Sequence, residues 1–323
     1  DWSSDVCSSD LTPFGLVFGE LWPLAESIPV RETEIVLQLP ETTPLYQDLK
    51  QPAGGALAPQ WHQRRVTPAG ESGDQAGVWK EWQMTLGPVA AVVDEERMPG
   101  ATDVAPYLHV SSFPDWTAAA RWYGALLVEA LPARGTDPVV RDTALRLTQG
   151  LDTTEQKVRA LYHFAANQVR YVGLEFGIHS LKPHPVREVL QRQFGDCKDK
   201  ATLLVALLGE LGIEAQVALV RTQDEGRLHD GVASLGVFNH AIAYVPSLGW
   251  WLDATAQRHS PLELPAADAG GTALRIALPG PEHAEARLER LPERESQAHA
   301  RDEEIELTVF PDRKSTRLNS SHT

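Results

Sequence analysis

The sequence predicts an α+β fold, with a β-rich N-terminal region followed by a core of helices and strands. Strand-like alternation comes first, as in TEIVLQL from Thr33 to Leu39. Apolar residues at helical spacing then extend from Trp116 to about Leu211. Short strand candidates follow the last of these helices, beginning at Ala215. These three blocks, in this order, predict the fold class.

The composition argues against several classes of protein. The chain has 323 residues, which predicts about two domains. Its formal net charge is −15, and such an acidic balance argues against nonspecific nucleic-acid binding. No run of ~18 apolar residues is present, so we expect no transmembrane segment. The two cysteines are too few for a disulfide framework or a Cys-rich zinc site.

Both ends of the chain resemble translated sequencing adapter. Residues 1–11 read DWSSDVCSSDL and residues 312–323 read DRKSTRLNSSHT, as one short-read adapter would in its two orientations. We therefore leave both ends out of the fold prediction. The remaining residues 12–311 have a net charge of −14 and one cysteine, Cys197, so no internal disulfide is expected. On this interpretation the true N-terminus is missing and the sequence is silent about a signal peptide.

Residues 12–110 are predicted to form the β-rich N-terminal domain, truncated at its start. Besides the strand at Thr33 to Leu39, a second candidate spans Gly77 to Leu86 around two tryptophans. The stretch from Gln51 to Ala76 is rich in Gly and Pro and predicts a loop. His62 and Arg64 to Arg65 in that stretch are interpreted as solvated loop residues.

Residues 111–150 are predicted to be connecting helices, and residues 151–280 a core. The predicted helices are Trp116 to about Leu131, capped by Ser112 or Asp115; Pro138 to Leu147; Asp152 or Thr153 to about Val169; Val186 to Phe194; and Cys197 to Leu211, stopped by Gly212. The predicted core strands are Ala215 to Arg221, Phe238 to Val245, Trp250 to Asp253 and Ala273 to Ala277. Residues 281–311 are predicted to be a linker and the first strand, Glu304 to Phe310, of a truncated C-terminal β domain.

Cys197 is the strongest candidate for chemistry. It follows Gly195 and Asp196 and opens an apolar helix. A helix N-terminus presents free backbone N–H groups and a partial positive charge, which favour a thiolate. The same N–H groups can hold the oxyanion of a tetrahedral intermediate. The competing interpretation is a small buried cysteine with no reactivity.

A cysteine nucleophile needs a base and a group that orients the base. His240 lies in the strand pattern FNHAIAYV, 43 residues after Cys197, and Asp253 lies 13 residues further on, at the end of WWLD. Two neighbouring strands would place the imidazole beside the carboxylate. Structural roles for His240 and Asp253 remain the alternative. The other histidines show no metal-ligand spacing, so neither a metal nor another cofactor is expected.

The segments GDCKDKATLLVALLGELGIEAQVALV, FNHAIAYV and WLDATA resemble the transglutaminase-like core of the papain-type superfamily. The stretches FPDWTAAARWY and VRYVGLEFGIHSLKPHPVREVLQRQFGDCKDKA are similar to one bacterial subgroup of it. In that subgroup the core lies between an N-terminal β domain of unknown function and a C-terminal β domain. The resemblance thus covers most of residues 12–311 and implies a papain-like core.

The resemblance implies a role for each site residue. Cys197 would be the nucleophile, His240 the base and Asp253 the group that orients it. Tyr171, in VRYVG, lies where related cores carry an aromatic residue near the oxyanion hole, and Gly195 and Asp196 would support the site. Related proteins usually carry export signals, which implies a periplasmic or cell-envelope location.

The predicted activity is that of a transglutaminase-like cysteine enzyme. It would act on peptide or isopeptide amide bonds of a peptide or protein substrate through a thioester, with hydrolysis favoured over transfer to an amine. The alternative is a non-catalytic binding or scaffold module of the cell envelope. Thiol reactivity distinguishes the two, because a buried structural cysteine is inert.

Overall fold

The computed structural model describes residues 17–52, 55–67, 78–93, 95–96, 98–173, 177–228, 231–257, 259–278, 287–293, 303–308 and 317–322. The helices are α1 Ala101–Val104, α2 Trp116–Ala130, α3 Pro138–Leu147, α4 Thr154–Asn167, α5 Val186–Arg192 and α6 Cys197–Glu210. The strands are β1 Gly19–Pro23, β2 Thr33–Pro40, β3 Tyr46–Lys50, β4 Gln60–Val66, β5 Trp79–Leu86, β6 Tyr107–Ser111, β7 Arg170–Tyr171, β8 Phe194–Gly195, β9 Gln216–Arg221, β10 His240–Val245, β11 Trp250–Leu252, β12 Thr272–Arg275, β13 Arg287–Arg290, β14 Glu303–Thr308 and β15 Arg317–His322. None of the helices in these ranges is long and apolar enough to cross a bilayer.

The N-terminal region is built from two three-stranded antiparallel sheets. Their strand orders are β1-β6-β3 and β2-β5-β4. The predicted strands at Thr33 and near Trp79 are confirmed and pair with each other along their length. Buried side chains from both sheets, including Met84 and Leu108, share one hydrophobic core. The α+β class and the β-rich N-terminal region are therefore confirmed.

The loop predicted from Gln51 to Ala76 is wrong in part, because it contains strand β4. Only Trp61 and Val66 of this strand are even half buried, so it lacks the alternation that predicts a strand. Backbone pairing with β5 over its whole length forms the strand instead. His62, Arg64 and Arg65 are exposed, as expected of solvated residues, but they lie on this edge strand. Residues 53–54 and 68–76 of the predicted loop lie outside the described residues.

The three helices before the core begin where their caps predict. The Asp115 side chain accepts a hydrogen bond from the Ala118 N–H at 2.7 Å and caps α2. Asp137 accepts from the first turn of α3, which begins with Pro138. Thr153 and Gln156 form a capping box at the start of α4. The predicted helices are confirmed, with ends that differ by one or two residues.

Helix α5 ends two residues earlier than predicted. Gln193 adopts a left-handed conformation with φ of 55° and stops the helix. The next two residues, Phe194 and Gly195, form β8, which pairs in parallel with β7. This short ladder leads the chain directly into Cys197 and fixes where α6 begins.

The core packs α6 against a five-stranded antiparallel sheet of order β11-β10-β9-β12-β13. All residues of α6 except Gly209 are buried, so the helix lies inside the molecule. Gly212 follows the helix with φ of +73°, as a C-terminal stop requires. The sheet places the start of β10 and the end of β11 beside the first turn of α6.

Strands β14 and β15 pair as an antiparallel hairpin near the end of the chain. Strand β14 matches the strand predicted from Glu304, and the last two residues of that prediction lie outside the described ranges. Strand β15 falls within residues 312–323, which the sequence assigns to adapter. The pairing does not bear on the origin of these residues, which stays a prediction.

Candidate active site

Cys197 is the first residue of α6 and is 8% exposed. It lines a cavity of about 100 Å³ together with Tyr123, Lys198, Phe238 and His240. The cavity lies at the N-terminus of the helix, where the backbone N–H groups of the first turn point outward. Among the described residues, Cys197 is the one free cysteine.

His240 opens β10, and Asp253 directly follows β11, the neighbouring antiparallel strand. The Nε2 atom of His240 lies 3.3 Å from Oδ1 of Asp253. The same histidine lines the cavity at Cys197. Asp253 Oδ1 also accepts hydrogen bonds from the Thr255 N–H at 2.8 Å and its hydroxyl at 2.7 Å. The structure thus pairs His240 with Asp253 and places His240 and Cys197 on one cavity.

The ring of His240 is held in its charged form. Burial opposes the charge, but the hydrogen bonds to Asp253 and Cys197 outweigh it and raise the pKa of His240 to about 11. Burial likewise opposes the charge on Asp253, yet the His240 and Thr255 contacts hold the pKa of Asp253 below its ordinary value. The pair is therefore an imidazolium and a carboxylate at neutral pH.

A second carboxyl group, Asp268, lies beside this pair. Its Oδ2 atom is 4.0 Å from His240 Nε2 and has no hydrogen-bond partner within the described part of the chain. Burial raises the pKa of Asp268 to about 7; the His240 charge opposes this rise and Asp253 adds to it. Sequence reasoning missed Asp268, because it follows no strand or helix pattern in PAADAGG.

The same three side chains form a possible set of metal ligands. One ligand atom each from His240, Asp253 and Asp268 lies within 4.8 Å of the other two. The His240–Asp253 ion pair already accounts for two of these atoms. The sequence-based expectation of no metal stays a prediction.

Asp196 and Lys198 organise the first turn of α6. Asp196 is the N-cap and accepts a hydrogen bond from the Asp199 N–H at 3.1 Å. Its other carboxylate oxygen lies 2.5 Å from the Lys198 ammonium. Asp196 therefore fixes the helix start on which Cys197 lies, and its support of a nucleophile there stays a prediction.

Gly195 is required by packing within the chain. A Cβ atom at this position would lie 2.6 Å from the Cβ of Asp199. The close approach that the glycine permits is thus made by Asp199. The predicted supporting role of Gly195 at the site stays a prediction.

Asp199 and Lys200 connect the helix to its surroundings. Asp199 completes the capping box at Asp196 and also contacts His184 and Arg192. It does not pair with Lys200, whose ammonium instead donates to the carbonyls of Ala166 and Val169 at the end of α4. Burial lowers the pKa of Lys200 to about 8, with Asp253 opposing the shift. These contacts bind α6 to the two helices before it.

Tyr171 lies on β7 and is 46% exposed. Its neighbour across the parallel ladder is Gly195. Tyr171 is absent from the residues that line the cavity at Cys197. Tyr123, from α2, lines the cavity instead, although nothing in the sequence of that helix marks it for a role at the site.

Comparisons with known proteins agree with this fold. The family model for the transglutaminase-like superfamily matches residues 141–254, which include Cys197, His240 and Asp253. No curated protein matches the chain.

Two solved structures are similar to it. One is a candidate protease from Parabacteroides distasonis ATCC 8503, with a TM-score of 0.60 and 21% identity over 84% of this chain. The present chain spans 48% of the length of that structure. The other is a candidate cysteine protease from Cytophaga hutchinsonii, with a TM-score of 0.32 and 14% identity over 94% of this chain and 95% of the other. The family match and the shared fold together identify residues 141–254 as a transglutaminase-like domain.

Proposed function

We propose that this protein is a cysteine enzyme that cleaves peptide or isopeptide amide bonds through a thioester. The observation that carries the proposal is that Cys197, at the N-terminus of α6, lines one cavity with His240, which pairs with Asp253 at 3.3 Å. A thiol beside a charged imidazole and a helix N-terminus is favoured as thiolate, the reactive form. Transglutaminase-like superfamily membership and a fold shared with candidate proteases support a cysteine-type enzyme.

In the proposed reaction the Cys197 sulfur attacks the carbonyl carbon of the amide. The C–N bond then breaks as His240 gives its proton to the leaving amine, and the acyl group stays on sulfur as a thioester. Water then attacks the thioester carbonyl, and His240 accepts a proton from this water. The C–S bond breaks, which releases the carboxylic acid and regenerates the Cys197 thiolate. Asp253 holds the ring in position through both steps and stabilises its positive charge.

Iodoacetamide labelling across pH tests the Cys197–His240 pair. The wild type should alkylate at Cys197 rapidly at pH 5.5, where an ordinary thiol is almost wholly protonated. His240→Ala removes the charged partner, and we expect alkylation at this pH to fall by about 10²-fold, since the thiol of a free cysteine ionises only near pH 8.5. Cys197→Ala gives the background from other residues.

Equal and slow alkylation in folded wild type and folded His240→Ala would contradict the proposal. It would favour the scaffold function and direct the search to binding partners. If labelling succeeds, a second experiment distinguishes hydrolysis from transfer. The acylated enzyme is incubated with and without an added primary amine, and the products are compared. Release of free acid supports hydrolysis, whereas amide formation supports transfer.

A further inference from the structure

Tyr123 is a buried tyrosine whose hydroxyl lacks a partner. Its side chain comes from the inner face of α2 and is 1% exposed. Within the described ranges its hydroxyl has no hydrogen bond. The hydroxyl of Tyr162, also buried, donates to the Ala256 carbonyl. Because an unpaired buried hydroxyl has lost its hydrogen bonds to water without replacing them, the Tyr123 hydroxyl destabilises the resting protein.

The position of Tyr123 relates this hydroxyl to the nucleophile. Tyr123 lines the same cavity of about 100 Å³ as Cys197 and His240. Burial, together with the negative charges of Cys197, Asp196 and Asp199, raises the pKa of Tyr123 far above its ordinary value. The group therefore stays a neutral hydroxyl, which can donate one hydrogen bond.

A second donor faces the same region. The backbone N–H of Cys197 is at the first position of α6, where no carbonyl of the helix can accept its hydrogen bond. No hydrogen bond from this N–H occurs among the described residues. An oxyanion formed on a carbonyl attacked by Cys197 is best held by two such donors.

Building on the proposed function, we propose that Tyr123 is a catalytic residue that donates its hydroxyl proton in a hydrogen bond to the oxyanion of the tetrahedral intermediate. It acts together with the backbone N–H of Cys197. The unpaired hydroxyl then gains its hydrogen-bond partner only in the transition state. Its hydrogen bond therefore lowers the activation barrier without stabilising the resting protein. In this role Tyr123 replaces Tyr171, which the family resemblance implies near the oxyanion hole but which is half exposed and outside the cavity lining.

Two reactions of Cys197 separate this role from a structural one. Acylation by p-nitrophenyl acetate passes through an oxyanion and releases p-nitrophenolate in a burst. Alkylation by iodoacetamide is a displacement at a saturated carbon and forms no oxyanion. Tyr123→Phe removes only the hydroxyl, so we expect acylation to slow by about 10²-fold while alkylation stays within about 2-fold of wild type.

Matched measurements make the result decisive. The ratio of the acylation rate to the alkylation rate, measured on the same sample, corrects for any loss of folded protein. Tyr171→Phe tests the competing tyrosine. A lowered ratio in Tyr123→Phe with an unchanged ratio in Tyr171→Phe supports the proposal.

Three results would overturn it. They are an unchanged ratio in Tyr123→Phe, a lowered ratio in Tyr171→Phe alone, and equal loss of both reactions in Tyr123→Phe. A wild-type protein without a burst above that of Cys197→Ala would instead refute the proposed function itself, and this inference with it.

Discussion

Asp268 makes the stability of the protein depend on pH below neutrality. Its pKa is raised from 3.8 to about 7, mainly by burial. Between these two values the folded protein holds a proton that the unfolded chain has lost, so the free energy of unfolding falls as pH rises from about 4 to 7. Asp268→Asn stays neutral and lacks this slope.

We therefore expect the free energy of unfolding of Asp268→Asn, measured relative to that of the wild type, to rise by about 2–4 kcal/mol from pH 5 to pH 8. Urea unfolding at the two pH values measures the difference. The unfolded chain also titrates at His240 in part of this range, but this histidine is present in both proteins and its contribution cancels to first order. If the free energy of unfolding changes equally in the two proteins between pH 5 and pH 8, the Asp268 carboxyl is not held protonated.

The residues of the candidate site differ in how far sequence could identify them. Cys197, His240 and Asp253 each occupy a place that a local pattern marks: the start of a helix, the start of a strand and the end of the next strand. Asp268 lies in a turn, and Tyr123 lies inside a helix where aromatic residues usually serve packing. Only the folded chain brings these two side chains to the site.

Among the elements, α6 begins at Cys197, and the two glycines near its C-terminal end have opposite conformational requirements. Gly209 lies within the helix, and a Cβ there would contact nothing within 4 Å. Gly209→Ala should therefore stabilise the protein by about 0.5–1 kcal/mol. Gly212 has φ of +73°, and its added Cβ would lie 3.1 Å from the Arg134 guanidinium. Gly212→Ala should destabilise by about 1–2 kcal/mol.

The two variants serve as controls for each other, because each adds one methyl group to the same helix end. Thermal unfolding monitored by circular dichroism should move their Tm values in opposite directions. If both variants lose stability, or if neither does, backbone conformation does not determine the effect of replacing these glycines by alanine on stability.

Elements with strong end signals could be predicted from sequence, and elements formed by pairing could not. Caps at Asp115 and Thr153 and the stop at Gly212 are local, and the helices they bound were predicted closely. Strand β4 depends on the neighbouring backbone of β5, which no local pattern shows. Strands β1, β3 and β6 were likewise not identified one by one within the β-rich region.

At the scale of the whole molecule, Arg221 joins the N-terminal region to the core. It ends β9 and is 4% exposed. Its guanidinium donates to the carbonyls of Gly226, Val237 and Glu225 and to the Thr102 hydroxyl, which belongs to α1. Four hydrogen bonds in different directions need the planar fork of arginine.

Arg221→Met would leave these acceptors without their donor in a buried place, and we expect it to lower the free energy of unfolding by about 3 kcal/mol. Because one side chain binds both regions, amide exchange should rise together around Thr102 and Gly226. Arg64→Met provides the control. Arg64 is exposed and pairs with the Glu81 carboxylate, which the Gln38 side-chain amide also binds. We therefore expect this variant to change the free energy of unfolding by no more than about 0.5 kcal/mol. Faster exchange on the core side alone would show that the N-terminal sheets are held to the core by contacts other than Arg221.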